Sequence, residues 1–296
     1  MILQQQGTLQ TLDILVLHRI KGIGNKAQLD LIKCYKENNL NSLEDLLRLD
    51  SSQTATIKRA VKLLNEFFAN NLYEVAKKEC ENDLVEWRSS GISVLAFGSS
   101  EYPIQLKSLG DPPALLFCKG NLNLLSNPKS IAVVGTRENT KLGEKIACKT
   151  VEHYSNLGFC IVSGLAHGID SIAHRAALEN NAKTIAVLVD IVNVSPPGNR
   201  ELAEQILKQN GLLISENPPG TKGVPGLFVK RDRIQAGLSM AVFAIETSIN
   251  GGTMHAVKTA LSIKRDVYVP DAVAAGYPDL GIRAISGTQA LAVEGK

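Results

Sequence analysis

No apolar stretch in the sequence approaches the roughly 20 residues that a bilayer-spanning helix needs. Met1–Gln10 carries neither the basic nor the apolar region of a secretory leader. A cytoplasmic protein without a membrane partner is therefore expected. Cysteine is sparse: Cys34, Cys80, Cys118, Cys148 and Cys160 are odd in number, scattered and free of any CxxC pair. That argues against both a disulfide framework and a zinc site. Surplus charge is also missing, since 32 Lys and Arg against 29 Asp and Glu leave a net +3. Nucleic-acid binding then has to come from a local patch rather than from the whole molecule.

Catalytic signatures are absent as well. There is no GxSxG elbow, no P-loop and no HExxH. The first strand-to-helix turn lacks GxGxxG with an acid about 20 residues on, which disfavours a redox dinucleotide. His167, His174 and His255 have no carboxylate or thiolate at ligand spacing, so neither a metal nor a cofactor is expected.

What is present is a chain of 296 residues, 44% hydrophobic and 21% charged, long enough for one large core or two domains. Leu12, Leu15, Val16 and Ile20, and later Ile57, Val61, Leu64 and Phe68, recur at helical spacing. Residues 1–95 are accordingly read as a small helical domain and 96–296 as a second domain. Between the first two helices, Ile20–Lys26 forms a glycine turn resembling a helix-hairpin-helix. Lys21 and Lys26 would be its DNA contacts, although a GxG between helices also serves as a plain turn. Lys58, Arg59 and Lys62 read as a solvated helix face. The prolines of Tyr102–Pro113 are expected to hold an extended connector.

From Ser130 the pattern alternates between strand and helix. Ile131–Val134, Phe159–Val162, Thr184–Val189, Leu212–Ser215, Met240–Ile245 and Asp266–Val269 read as strands, separated by helical stretches that include Ile172–Leu178 and Val229–Gly237. Continuous apolar strands imply a sheet covered on both faces, hence a parallel, doubly wound, Rossmann-like α/β domain. Ligands in such sheets bind beyond the carboxyl ends of the strands. The loops after Val134, Val162, Val189, Ser215 and Ile245 are thus expected to converge on one crevice.

Those loops carry the candidate site. Gly135-Thr136-Arg137 ends the first strand, with the arginine suited to a bidentate phosphate contact. Ser163-Gly164-Leu165-Ala166-His167-Gly168-Ile169-Asp170 is a glycine loop opening a helix, and Gly251-Gly252-Thr253 is a second one. Both suit an anion through exposed amides and a helix N-terminus, though spacing alone does not separate a phosphate seat from an ordinary turn. Lys230, Arg231 and Arg233 form the densest basic cluster, read as a helix start with Phe228 beside it as a base-stacking surface.

These motifs, taken with Tyr102-Pro103, Asp111-Pro112-Pro113, Gly120-Asn121, Ser215-Glu216 and Pro219-Gly220-Thr221, resemble the DprA/Smf family of DNA-processing proteins. The resemblance runs from about Tyr102 to Pro270. It implies a non-enzymatic single-stranded DNA binder, dimeric, that helps load RecA, with Arg137, Ser163, Gly164, His167, Lys230, Arg231 and Arg233 at the DNA site. The chain departs from the family pattern in places. Arg231-Asp232-Arg233 stands where the family usually has Arg-Asn-Arg, and the added carboxylate lowers the local positive potential. Ser195-Pro196 replaces a Tyr-Pro. The chain ends at Lys296 without room for the winged helix that many relatives carry. Some DprA-like proteins resemble antitoxins or accessory partners in phage defence, paired with phosphoribosyltransferase-like toxins encoded nearby. This gives a second reading, and a nucleotide-binding sensor gives a third. Hydrolysis is disfavoured because Gly251–Ala256 lacks the catalytic Glu of related phosphoribohydrolases.

Overall fold

The structure, a computed structural model, describes residues 9–295; the leaderless start read from Met1–Gln10 lies mostly outside them, as does Lys296. The chain divides into two compact units, residues 1–102 with 113–116, and residues 103–112 with 117–296.

The first unit holds helices α1 (Thr11–Arg19), α2 (Asn25–Glu37), α3 (Lys58–Ala69) and α4 (Leu72–Ser89), followed by strand β1 (Ile92–Ala96). Ile14, Leu17, Leu31, Leu43, Leu46 and Leu64 are fully buried and make its core. The Ile20–Asn25 turn needs Gly22, whose φ is +95°. Lys21 and Lys26 beside it are exposed, as are Lys58, Arg59 and Lys62 of α3.

The second unit is the Rossmann-like domain. Its strands are β2 (Leu115–Gly120), which begins in the first unit, β3 (Ser130–Val134), β4 (Cys160–Ser163), β5 (Thr184–Leu188), β6 (Leu212–Ser215), β7 (Ala241–Ala244) and β8 (Asp266–Tyr268). They run in the order β2-β6-β5-β4-β3-β7-β8. All neighbours are parallel except β2 against β6, where Phe117 faces Ser215. Alternating side chains of β3 explain why a continuous apolar run is required. Ile131 and Val133 pack with Ala147, Val151, Ala173 and Ala176 on one face. Ala132 and Val134 pack with Ala236, Ala256, Val257 and Leu291 on the other. The covering helices are α5 (Lys141–Asn156), α6 (Ile169–Glu179), α7 (Arg200–Lys208), α8 (Pro225–Leu238), α9 (Thr253–Ser262) and α10 (Ser286–Glu294).

Three details differ from the sequence reading. First, α8 starts at Pro225, which suits the first helical position, four residues ahead of Val229. Lys230 and Arg231 therefore lie in its second turn and Arg233 at the start of its third, so they fan around the axis instead of crowding the N-terminus. Second, the connector is not extended throughout: Ile104–Ser108 winds into a 3-10 turn. Leu106 and Leu109 drive this by packing on α8 beside Gly237. Third, α10 fills a C-terminal stretch for which the sequence reading assigned no element. No helix among the described residues is long and apolar enough to cross a membrane.

Candidate functional site

The chain runs outward from β3 through β4, β5 and β6, then returns to the other side of β3 with β7 and β8. Loops leaving β3, β4 and β7 thus diverge at a topological switch point, where an open α/β sheet leaves a crevice. A cleft of about 490 Å³ lies there. It is lined by Gly135, Thr136 and Arg137 after β3, by Ala166 and Asp170 beyond β4, and by Thr247, Ser248 and Gly251–Thr253 between β7 and α9. Phe228, Arg231, Asp232 and Gln235 of α8 form one wall, and Arg283 and Ala284 close another side.

The loops after β5 and β6, expected at the same crevice, do not line it. They are fastened to each other: the Asp190 carboxylate accepts from Gly220 N at 3.0 Å and Asn193 Nδ2 at 2.8 Å, and Ser215 Oγ donates to Val189 O at 2.8 Å.

The glycine loop after β4 is shaped around an internal anion. Gly168 sits at φ +75°, and a Cβ there would collide with the Thr136 carbonyl, which accepts from Ile169 N at 3.2 Å. At Gly164 a Cβ would overlap the Arg231 guanidinium, so only glycine lets that side chain lie against the loop backbone. Backbone amides of Ala166, Gly135 and Gly164 are turned toward the Asp170 carboxylate. The chain's own Asp170 thus takes the amides that the sequence reading offers to a phosphate. Burial still holds its carboxyl above the ordinary range, against the pull of Arg231 and those amides. Ser163 is buried and donates to Val133 O at 2.7 Å, while His167 is exposed beside Gly198 and outside the cleft lining.

The three cations of α8 have three different surroundings. Arg231 is 4% exposed, with Nη2 3.9 Å from Asp170 and Nε 3.3 Å from Asp232. Its Nε and Nη1 lack hydrogen-bond partners. Arg233 grips Glu216 with both terminal nitrogens, at 2.7 and 2.9 Å, and donates to the carbonyls of Asp111 and Lys230, each at 2.9 Å. Lys230 reaches the same Glu216 at 2.8 Å. Arg233 and Lys230 are therefore tied to the end of β6 and lie outside the cleft lining.

Cations at the cleft opening come from elsewhere. Arg137 and Arg283 line it and are both exposed. Helix α9 opens at Thr253 with no acidic residue in its first turn, and its N-terminus faces the cleft beside Gly251 and Gly252. Sequence reasoning missed Arg283, because the C-terminal stretch has no marked apolar period. It also missed Glu246, which anchors the site from behind: its buried carboxylate accepts from Thr140 N at 2.9 Å, Thr140 Oγ1 at 2.6 Å and Tyr277 Oη at 2.8 Å. This fixes the start of α5 and the segment leading to Arg283.

His174 is buried with Nδ1 2.7 Å from Thr184 Oγ1, whose hydroxyl donates to Ile161 O. Burial pulls its pKa down to about 3, so the imidazole is neutral and structural. Among the described residues no group of three or more His, Cys, Asp or Glu could hold a metal ion.

The DNA processing protein DprA of Bacillus subtilis is 37% identical over 186 residues, 62% of this chain and 62% of that one. This chain therefore matches less than two thirds of that relative's length. The X-ray structure of DNA processing protein A from Streptococcus pneumoniae superposes with a TM-score of 0.78 at 28% identity, covering 97% of this chain and 94% of that one. DNA processing protein A from Helicobacter pylori, whose structure was described for its single-stranded DNA binding mode, gives 0.60 at 28% identity over 69% of this chain and 88% of its own. Residues 93–294, the stretch that folds into the strands and loops around the cleft, match the DNA recombination-mediator protein A family, and the chain belongs to that DprA/Smf family.

Proposed function

We propose that this protein binds single-stranded DNA as a DNA-processing protein, holding the phosphate backbone across the cleft at the switch point. One observation carries the reading. Two exposed arginines, Arg137 and Arg283, and the glycine-led N-terminus of α9 face a single cleft, which is the chemistry of a phosphate seat without base readout. The H. pylori relative's single-stranded DNA binding supports the choice of polymer. Gly252 and Thr253 contribute backbone amides and Thr136 and Thr253 hydroxyl groups to the seat, while Gly135 and Gly251, whose own amides are turned to Asp170 and to Ser248 O, shape the loops that present them. Arg231 stands in the wall, Ser163, Gly164 and Gly168 support it from behind, and His167 lies on the adjoining surface. Phe228, partly exposed in the cleft wall, offers a base a stacking face.

In the same reading the protein turns over no substrate, acts in the cytoplasm, forms a homodimer and hands its DNA to RecA. Support for these finer parts is family membership together with the Gly251–Ala256 loop, which carries no Glu.

The test is fluorescence anisotropy with a labelled oligo-dT at several salt concentrations. Single-stranded binding has a salt slope of about 0.7 per phosphate neutralised. Arg137→Ala with Arg283→Ala should therefore weaken binding across sequences and flatten the slope by about 1.4. Unchanged affinity and slope would overturn the assignment.

A further inference from the structure

We propose that Asp232 sets the affinity of the cleft, so that the protein takes up a proton at this carboxyl when it takes up a phosphate. The inference rests on the cleft being the phosphate seat. Asp232 and Arg231 stand in the same wall of the cleft, with side chains 14% and 5% exposed. An incoming phosphate therefore meets the carboxyl group together with the guanidinium, and the carboxyl group is the more exposed of the two.

The charges that face Asp232 come from every element around it. On its own helix are Arg231, with Nε at 3.3 Å, and Gln235, whose Nε2 donates to Oδ1 at 2.9 Å. Asp170 comes from α6, Arg137 and Glu138 from the loop after β3, and Arg283 from the segment before α10. The pair of acids around one buried arginine is the decisive arrangement. Arg231 can balance only one of them, and Asp170 already has three backbone amides turned toward it. Asp232 has Gln235 instead, and its side chain is the more exposed, 14% against 8%.

Burial pushes the Asp232 carboxyl up to about 7, Arg231 and Arg137 opposing and Asp170 adding to the rise. The free protein therefore exists near neutrality as two populations, with Asp232 neutral or ionised. Only the neutral form leaves Arg231 with Asp170 as its one charged acidic partner at the cleft. A bound phosphate, being a second anion, favours that form further. The sign follows: affinity is highest when Asp232 is already protonated, and falls as pH rises through and beyond 7. If the phosphate raises the carboxyl by about one more unit, the dissociation constant grows about fourfold from pH 7.0 to 8.5.

The experiment measures oligo-dT binding by anisotropy at pH 7.0 and 8.5 and fixed ionic strength, for the wild type and Asp232→Asn. The wild type should weaken about fourfold. Asp232→Asn, which keeps an acceptor for Gln235 but no charge, should show a flat profile and bind more tightly than the wild type at pH 8.5. A measurement on the wild type alone guards against a misfolded variant: calorimetry at pH 7.5 in two buffers of different ionisation enthalpy should reveal a fraction of a proton taken up per site. A wild type that binds with no pH slope and no proton uptake overturns the role of Asp232 and leaves the DNA-binding reading standing. So does a variant with the wild-type slope. Absence of binding by both proteins at both pH values overturns the two together.

Discussion

Arg233→Ala separates a structural cation from a DNA contact, because the sequence alone groups Arg233 with Arg231 and Lys230 at the binding site. Arg233 is 13% exposed at its side chain, and Glu216 is 4% exposed. Removing one partner of a buried ion pair costs about 3–5 kcal/mol, since the remaining charge stays buried without compensation. Lys230, still 2.8 Å from Glu216, places this pair toward the lower end. Two carbonyls, those of Asp111 and Lys230, also lose a donor, at about 0.5–1.5 kcal/mol each. A net loss of about 4–6 kcal/mol is therefore expected. At about 2–4 °C per kcal/mol for a chain of this size, the melting temperature should fall by roughly 8–24 °C. The salt slope of oligo-dT binding, measured well below the new melting temperature, should not change. Circular dichroism melts and anisotropy titrations on one preparation decide the matter. A variant with the parental melting temperature and a slope reduced by about 0.7 would refute the reasoning, because it would make Arg233 a phosphate ligand.

Three further outcomes follow from the same geometry. Gly168→Ala forces a side chain into φ +75° and against the Thr136 carbonyl, a backbone atom that cannot swing away; a loss of at least about 3 kcal/mol in urea unfolding is expected, and a near-neutral change would contradict the packing of the two loops. His174 stays neutral in the folded protein down to about pH 3, whereas it protonates near 6.5 when unfolded. The unfolded state then binds the extra proton, and stability falls as pH drops below about 6.5, by up to about 1.4 kcal/mol per pH unit. His174→Gln should remove that part of the slope between urea midpoints at pH 7 and 5. Tyr277→Phe takes one hydrogen bond from the Glu246 carboxylate but leaves both from Thr140, so a loss of about 1–3 kcal/mol is expected by thermal melting.

The strands of the Rossmann-like unit were legible because burial on both faces demands an uninterrupted apolar run, and Ile131–Val134 or Thr184–Leu188 has no other use for such a sequence. The position of the cleft was legible for a related reason. In a doubly wound sheet the order of strands, not their chemistry, decides where loops part. The partners of each charge were not legible. Glu216 and Arg233 are 17 residues apart, and only the pairing of β6 with its neighbours and the earlier start of α8 bring them together. Nothing in the local sequence of Lys230-Arg231-Asp232-Arg233 distinguishes the member that braces β6 from the member buried behind the cleft.

The same holds for the glycine loop after β4, with a sharper consequence. Gly164 and Gly168 in front of Asp170 read as an empty anion seat, because the sequence gives the glycines and the acid as neighbours without saying which way the amides turn. In the fold the amides turn inward and the acid itself fills the seat, which in turn holds Arg231 in the wall. A motif of this kind therefore does not have to touch a ligand in order to shape its site. It sets the field by fixing one buried cation between two acids. The cations and the helix start that line the cleft, Arg137, Arg283 and the N-terminus of α9, come from three loops whose sequences share no motif at all.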